Sequence, residues 1–290
     1  MKVAIIGGSG EMGQWFARFL VKEGKEVVIT GRNERKLSAA GEQLGVSITT
    51  DNVAAVKDAD AILLSVPIDN FEEVAQQVCP HIHPEQVIMD ITSIKVLPVE
   101  IMHKYIKRGL VLGMHPMFGP GAEGIVNHTF VMTPTNGAEK SLAQKIGDYL
   151  QNRGAKVTVM TPKEHDEMMT VILGLAHFIA IVSADTLLGL NKLKQMKSIS
   201  GSTYKLLLLL AESVVSQDAE FYASLQMSLP GMTEVEKLFQ KSVRIWTDLV
   251  ENRDRQKFVG RMNALKDRFN RADPDFGKSY EKVYKIVEGL

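Results

Sequence analysis

The chain is almost free of cysteine: Cys79 stands alone among 290 residues. That excludes an intrachain disulfide and makes a reducing cytoplasm the expected compartment. It has no surplus of either charge, with 34 Lys and Arg against 34 Asp and Glu, and it has no long basic run. Nucleic acid and anionic membranes are therefore not expected partners. An apolar leader is not expected either, because a strand pattern already begins at Val3. Long hydrophobic runs are scarce. The main one, Met168 to Ala184, has His177 at its middle and follows Lys163, Glu164, Asp166 and Glu167. It is shorter than the ~20 residues that span a bilayer. A helix apolar on all sides is otherwise a buried one. This stretch reads as the central helix of an all-helical second domain, close to a subunit interface.

What is present is concentrated at the N-terminus. Val3 to Ile6 is a short apolar run typical of a strand buried on both faces. Gly8-Ser9-Gly10-Glu11-Met12-Gly13 follows as G-x-G-x-x-G. Then Met12, Trp15, Phe16, Phe19 and Leu20 recur at helical spacing, and Val27 to Thr30 forms a second strand. A strand, a glycine turn, a helix and a strand in this order are the context in which the motif means a dinucleotide site. Gly8 is expected to make the tight turn, Gly10 to let a pyrophosphate approach the backbone, and Gly13 to let the helix lie close to the sheet. The helix N-terminus then faces the phosphates.

The second strand ends in Thr30-Gly31-Arg32-Asn33, without the acid that usually holds the ribose hydroxyls of NAD. Arg32 stands where a 2′-phosphate would lie, and guanidinium suits phosphate in charge and geometry. The expected cofactor is NADP in preference to NAD. The competing reading makes Arg32 a solvated loop residue beside Glu34 and Arg35.

Further apolar runs alternate with helical patterns as far as about residue 162, and from Lys163 onward the pattern is helical throughout. The expected architecture is an α/β Rossmann-like doubly wound sheet over residues 1–162, followed by an all-α domain over 163–290. Ser65, Val66 and Pro67 end the strand from Ala61 and are candidate cofactor contacts. The strand Gln86 to Ile91 delivers Thr92, Ser93 and Lys95. The strand Leu110 to Gly113 delivers His115 in a loop shaped by Pro116, Gly119, Pro120 and Gly121. Imidazole is the side chain best suited to taking a proton near neutral pH, and the Ser93 hydroxyl is placed to orient it or the substrate. Read apart, His115 is a packed loop histidine and Ser93 a helix cap. Read beside the dinucleotide fingerprint, they form a base near a hydride acceptor. Cys79-Pro80-His81-Ile82-His83 has ligand types for a metal, but its prolines mark a surface loop, and no metal is expected. His128 is expected to be solvated.

Asp90-Ile91-Thr92-Ser93-Ile94-Lys95 and Gly113-Met114-His115-Pro116-Met117-Phe118-Gly119, behind the three glycines, resemble the prephenate dehydrogenase family, particularly its archaeal branch. The likeness spans the whole chain. It implies a homodimer joined through the helical domain and oxidative decarboxylation of prephenate with NADP or NAD in tyrosine biosynthesis. It also implies that His115 accepts the proton of the ring hydroxyl, that Ser93 hydrogen-bonds that hydroxyl and His115, and that His177 lines the substrate pocket. Many relatives grip a substrate carboxylate with an arginine, but Gly201 to Leu208 contains none. Lys205 would serve there as a point charge, which leaves prephenate and arogenate both open. Two other readings stand beside this one. A β-hydroxyacid or imine reductase shares the two-domain plan, but the β-hydroxyacid type normally has a catalytic lysine that the helix Glu164 to Ala184 lacks beyond its start. A sensor that binds NADP without turnover would need no base.

Overall fold

A computed structural model describes residues 1–289. The chain divides into two compact units, Met1–Met169 and a second that begins at Thr170.

The first unit alternates strands and helices: β1 (Lys2–Ile6), α1 (Glu11–Lys22), β2 (Glu26–Thr30), α2 (Glu34–Leu44), β3 (Ser47–Thr49), α3 (Asn52–Lys57), β4 (Ala61–Leu64), α4 (Phe71–Val78), β5 (Val87–Asp90), α5 (Val96–Tyr105), β6 (Leu110–Pro116), β7 (Thr129–Met132), α6 (Gly137–Gln151), β8 (Lys156–Val159) and α7 (Pro162–Met169). The strands form one sheet in the order β3-β2-β1-β4-β5-β6-β7-β8, parallel except where β6 meets β7. Both faces are covered. Val3 and Ile5 of β1 join a core with Trp15, Phe16 and Leu37. Their alternates Ala4 and Ile6 join a second core with Phe71, Ile88 and Met102. Period-two side chains in a sheet buried on both sides explain why β1 reads as an unbroken apolar run.

The strand order turns back on itself between β1 and β4, which is where open α/β sheets bind ligands at the carboxyl ends of their strands. Among the three fingerprint glycines, Gly8 was expected to make the tight turn, but that conformation falls to Gly7, at φ +80°, where a Cβ would lie 2.3 Å from the Ser65 carbonyl oxygen. Gly8 is required for a different reason: its Cβ would meet the Ile29 side chain at 2.6 Å.

Two further expectations change. The strand expected to end at Gly113 continues to Pro116, because β7 adds to it antiparallel and pairs His115 with Val131. His115 is therefore a strand residue and buried. The first compact unit runs to Met169 and so takes in α7, past the expected 162/163 division, with His165 hydrogen-bonded to His115 of β6 and Asp166 to the start of α5.

The second unit is helical: a π-helical turn (Thr170–Leu175), α8 (Ala176–Gly189), α9 (Leu193–Ser198), α10 (Ser202–Val215), α11 (Ala219–Ser228), α12 (Met232–Glu251), α13 (Arg255–Ala272) and α14 (Ser279–Glu288). The apolar helix expected to be buried is not: only Ala180 of α8 is buried, and Ile181, Val182 and Leu188 are exposed. Among the described residues, one helical run, Pro162–Gly189, is long and apolar enough to cross a membrane by length and composition, and 11% of its most apolar window is buried.

Candidate active site

The turn after β1 is built to receive a dinucleotide. At Gly10 an added Cβ would meet only the Gly7 carbonyl, at 3.3 Å, so the outer side of the turn is open. Gly10 also precedes α1, whose N-terminus carries no side-chain cap, so its first N–H groups are directed outward from Glu11, Met12 and Gly13. Gly13 is pressed against the turn, with a Cβ reaching 2.6 Å from Gly8. Ser9 lies against Gly31, where a Cβ would come within 2.2 Å of Ser9 Oγ. Arg32 is exposed just beyond β2 and donates from Nη2 to Asn70 Oδ1 at 3.4 Å. Asn33 caps α2 by accepting from the Lys36 N–H. Ser65 and Val66, followed by Pro67, run beside Gly7. These residues fit a dinucleotide.

β5 and β6 are neighbours in parallel register, with Asp90 opposite Gly113. Ser93, half-buried, follows the end of β5, and His115, 5% exposed, lies near the end of β6. No hydrogen bond joins Ser93 to His115 among the described residues. His115 Nδ1 instead meets His165 Nε2 at 2.8 Å. His165 Nδ1 meets Asp166 Oδ1 at 2.7 Å. Asp166 accepts the Lys95 N–H on Oδ1 at 2.6 Å and the Val96 N–H on Oδ2 at 2.9 Å. It therefore caps α5, the role that the competing reading gives to Ser93.

Beneath this chain lies a fully buried ion pair. Lys95 Nζ contacts Asp90 Oδ1 and donates to the Met114 carbonyl at 2.9 Å, one residue before His115. Thr92 Oγ1 donates to the same carboxylate oxygen at 2.6 Å. Burial pushes Asp90 up and Lys95 down, each opposed by the other's charge. Burial also holds His115 well below the ordinary histidine range, reinforced by the Lys95 charge and then by His165. An imidazole so placed stays uncharged at neutral pH and is free to accept a proton.

His165 and Asp166 were not singled out by sequence. The one available signal was a His-Asp pair directly ahead of the long apolar run. His177 and Lys205 belong to the second unit. The His177 ring stands edge-on to Tyr222 at 4.9 Å, its Nδ1 is buried without a partner among the described residues, and burial lowers its pKa. Lys205 is exposed on α10. Among the described residues, no group of three His, Cys, Asp or Glu side chains is placed to hold a metal. His128, expected to be solvated, is half-buried, its ring tilted at 42° against Phe118 with centroids 4.9 Å apart.

The fold and site define a two-domain protein of the nucleotide-binding oxidoreductase type, with a dinucleotide turn after β1 and an uncharged histidine near the carboxyl end of β6 in the same sheet. Residues 16–159 match the nucleotide-binding domain of prephenate dehydrogenase, and residues 161–264 match its dimerization domain. The chain belongs to the prephenate dehydrogenase family. It is 34% identical over 272 residues to a "Probable arogenate/prephenate dehydrogenase" of Methanocaldococcus jannaschii, covering 93% of this chain and 61% of that protein. It is 28% identical over its whole length to the "T-protein" of Haemophilus influenzae, of which it spans 72%. Its fold resembles that of Aquifex aeolicus prephenate dehydrogenase in complex with hydroxyphenyl propionate and NAD+, with a TM-score of 0.77 at 21% identity over 94% of this chain and 98% of that one.

Proposed function

We propose that this protein is a prephenate dehydrogenase acting with a nicotinamide dinucleotide, NADP in preference to NAD, and that His115 is its general base. The observation that carries the reading is His115 itself, a buried imidazole held uncharged near the carboxyl end of a strand in a nucleotide-binding sheet.

Gly8, Ser9, Gly10, Glu11, Met12 and Gly13 hold the pyrophosphate, Gly31, Arg32 and Asn33 the adenosine end, and Ser65, Val66 and Pro67 flank the cofactor. When bound, the dinucleotide supplies a hydride acceptor. His115 takes the proton of the ring hydroxyl as hydride leaves the same carbon. The bond to the ring carboxylate then breaks, carbon dioxide departs, and the electron pair completes the aromatic ring. The ring oxygen recovers its proton from the His115 imidazolium, giving 4-hydroxyphenylpyruvate. Ser93 orients the hydroxyl. His177 and Lys205 are the second unit's candidates for holding the substrate, Lys205 as a cation for a carboxylate. The exposed apolar side chains of α8 and α10, including Ile181, Leu188, Leu207 and Leu210, form the face that a second copy covers. A single cysteine fits work in the cytoplasm.

The test follows reduced nicotinamide by absorbance, with prephenate or arogenate and NAD or NADP in all four pairings, for the wild type and His115→Asn. The expected result is fastest turnover with prephenate and NADP, slowed by about 10²-fold or more in the variant. Wild-type turnover by His115→Asn overturns the assignment of the base. Turnover of arogenate alone overturns the substrate, and dinucleotide binding without turnover overturns the enzyme.

A further inference from the structure

We propose that His165 and Asp166 are positioning residues that lock His115 in the tautomer carrying its hydrogen on Nδ1, so that Nε2 is left bare for the substrate hydroxyl. The inference rests on His115 being the base.

Asp166 accepts the first two N–H groups around the start of α5, one on each oxygen, at 2.6 and 2.9 Å. Both oxygens of the Asp166 carboxylate are therefore already acceptors, with no hydrogen of their own to give. The hydrogen in its 2.7 Å contact with His165 therefore belongs to His165 Nδ1. A neutral imidazole carries one such hydrogen, so His165 Nε2 is a bare acceptor. Facing it at 2.8 Å is His115 Nδ1, which must donate. That uses the only hydrogen of a neutral His115, and its Nε2 keeps the lone pair.

The opposite arrangement, with the shared hydrogen on His165 Nε2, would turn round the His165–His115 contact alone and put the hydrogen of His115 on Nε2, spoiling the base. It would need hydrogens on both nitrogens of a fully buried ring, since Nδ1 already donates to Asp166. The charged and titratable groups linked to His115 are Lys95, which acts through its charge and holds the Met114 carbonyl, Asp90, which neutralises Lys95, and the His165–Asp166 pair. The contacts span 50 residues from β6 to α7 and 70 from α5 to α7, so the device belongs to the fold and not to any local motif. When the substrate proton arrives on Nε2, the Nδ1–H remains directed at His165, and the base need not turn its ring to pick up or return the proton.

The tautomer is read directly by two-bond proton–nitrogen correlation spectra of the isotopically labelled full chain, well above the ordinary histidine pKa, with His115 assigned from its loss in His115→Asn. The wild type is expected to show His115 Nδ1 protonated and Nε2 bare. His165→Phe removes the acceptor and is expected to move His115 toward the Nε2–H form. With it, kcat falls roughly 10²-fold while KM for the dinucleotide is unchanged. His165→Gln keeps an oxygen acceptor near the Nε2 position and restores both the tautomer and most of the rate, a rescue that a merely packing role would not produce. A wild-type His115 protonated on Nε2 overturns the proposal, as does His165→Phe with unchanged tautomer and turnover. If His165→Phe fails to fold, the wild-type spectrum and His165→Gln decide alone. Wild-type turnover by His115→Asn would instead sink the base assignment, and the spectrum would still report the tautomer.

Discussion

Replacing Lys95 by Met should unfold the first unit more readily than any surface change, and the size follows from the contacts. Lys95 and Asp90 are both fully buried, and Asp90 Oδ2 already lacks a partner. Removing the ammonium leaves a carboxylate with one hydroxyl and one backbone N–H, both from Thr92. It also frees the Met114 carbonyl. Breaking a buried pair from one side costs about 3–5 kcal/mol, because the surviving charge stays buried without compensation. The double variant Asp90→Asn with Lys95→Met removes that charge and should recover more than half of the loss. The pH dependence has a definite sign. Asp90 is raised by burial even with Lys95 present, and it rises further without it. A carboxyl with a raised folded pKa binds its proton more tightly in the folded state. The penalty of the single variant is therefore full above the folded pKa and shrinks as pH falls through it toward the unfolded value, roughly 3.9.

The assay is urea unfolding followed by Trp15 fluorescence in a Trp246→Phe background, since Trp15 reports the first unit and Trp246 lies on α12. A Lys95→Met loss below about 1 kcal/mol, or a double variant as unstable as the single one, would refute the account.

The same lysine sets the pH profile: kcat/KM should stay flat as pH falls through 6.5 and drop only well below it, because burial first and Lys95 second hold His115 uncharged. Lys95→Met should move that acidic limb upward, and a wild-type limb at or above 6.5 would contradict the cause given. With a lowered folded pKa, His115 also contributes stability that is complete above 6.5 and lost as pH falls from there toward the folded value. Arg32→Ala should weaken NADP by about 10- to 100-fold, the loss of one charge-assisted contact, and leave NAD within about twofold by calorimetry. Equal effects on both would mean that Arg32 does not read the phosphate. Sedimentation at micromolar concentration should give a dimer, and a monomer would leave the exposed Ile181, Leu188 and Leu210 unexplained.

How much of this was legible in the sequence depends on how far each feature reaches along the chain. The elements from β1 to β2 were readable because period two in Val3 to Ile6 and helical spacing from Met12 to Leu20 are local signals. The distinction between Gly7 and Gly8 was not, because the letters are the same and the difference lies in which one meets Ser65 and which meets Ile29. His115 stands out in the sequence as a candidate but is misplaced there as an element. Pro116 and Gly119 spell a loop, and only the antiparallel partner β7 extends the strand over His115. His165 and Asp166 were invisible for the same reason at longer range. In the string they are polar residues at the start of a helix, and their meaning comes from β6 and α5, 50 and 70 residues away.

The apolar run that became α8 shows the converse limit. Its composition demands cover, but composition does not say whether the cover comes from the same chain, from a second copy or from lipid. Within one chain α8 is left largely open. The helical run that contains it carries near its start a buried His-Asp pair, hydrogen-bonded to His115 of β6 and to the start of α5. Lipid would have to accommodate one end of a segment whose other end is already committed to a nucleotide-binding domain. A second copy of the chain carries no such conflict. It is also the occupant for which the apolar side chains of α8 and α10 would be mutually complementary by symmetry, since one patch then meets its own image.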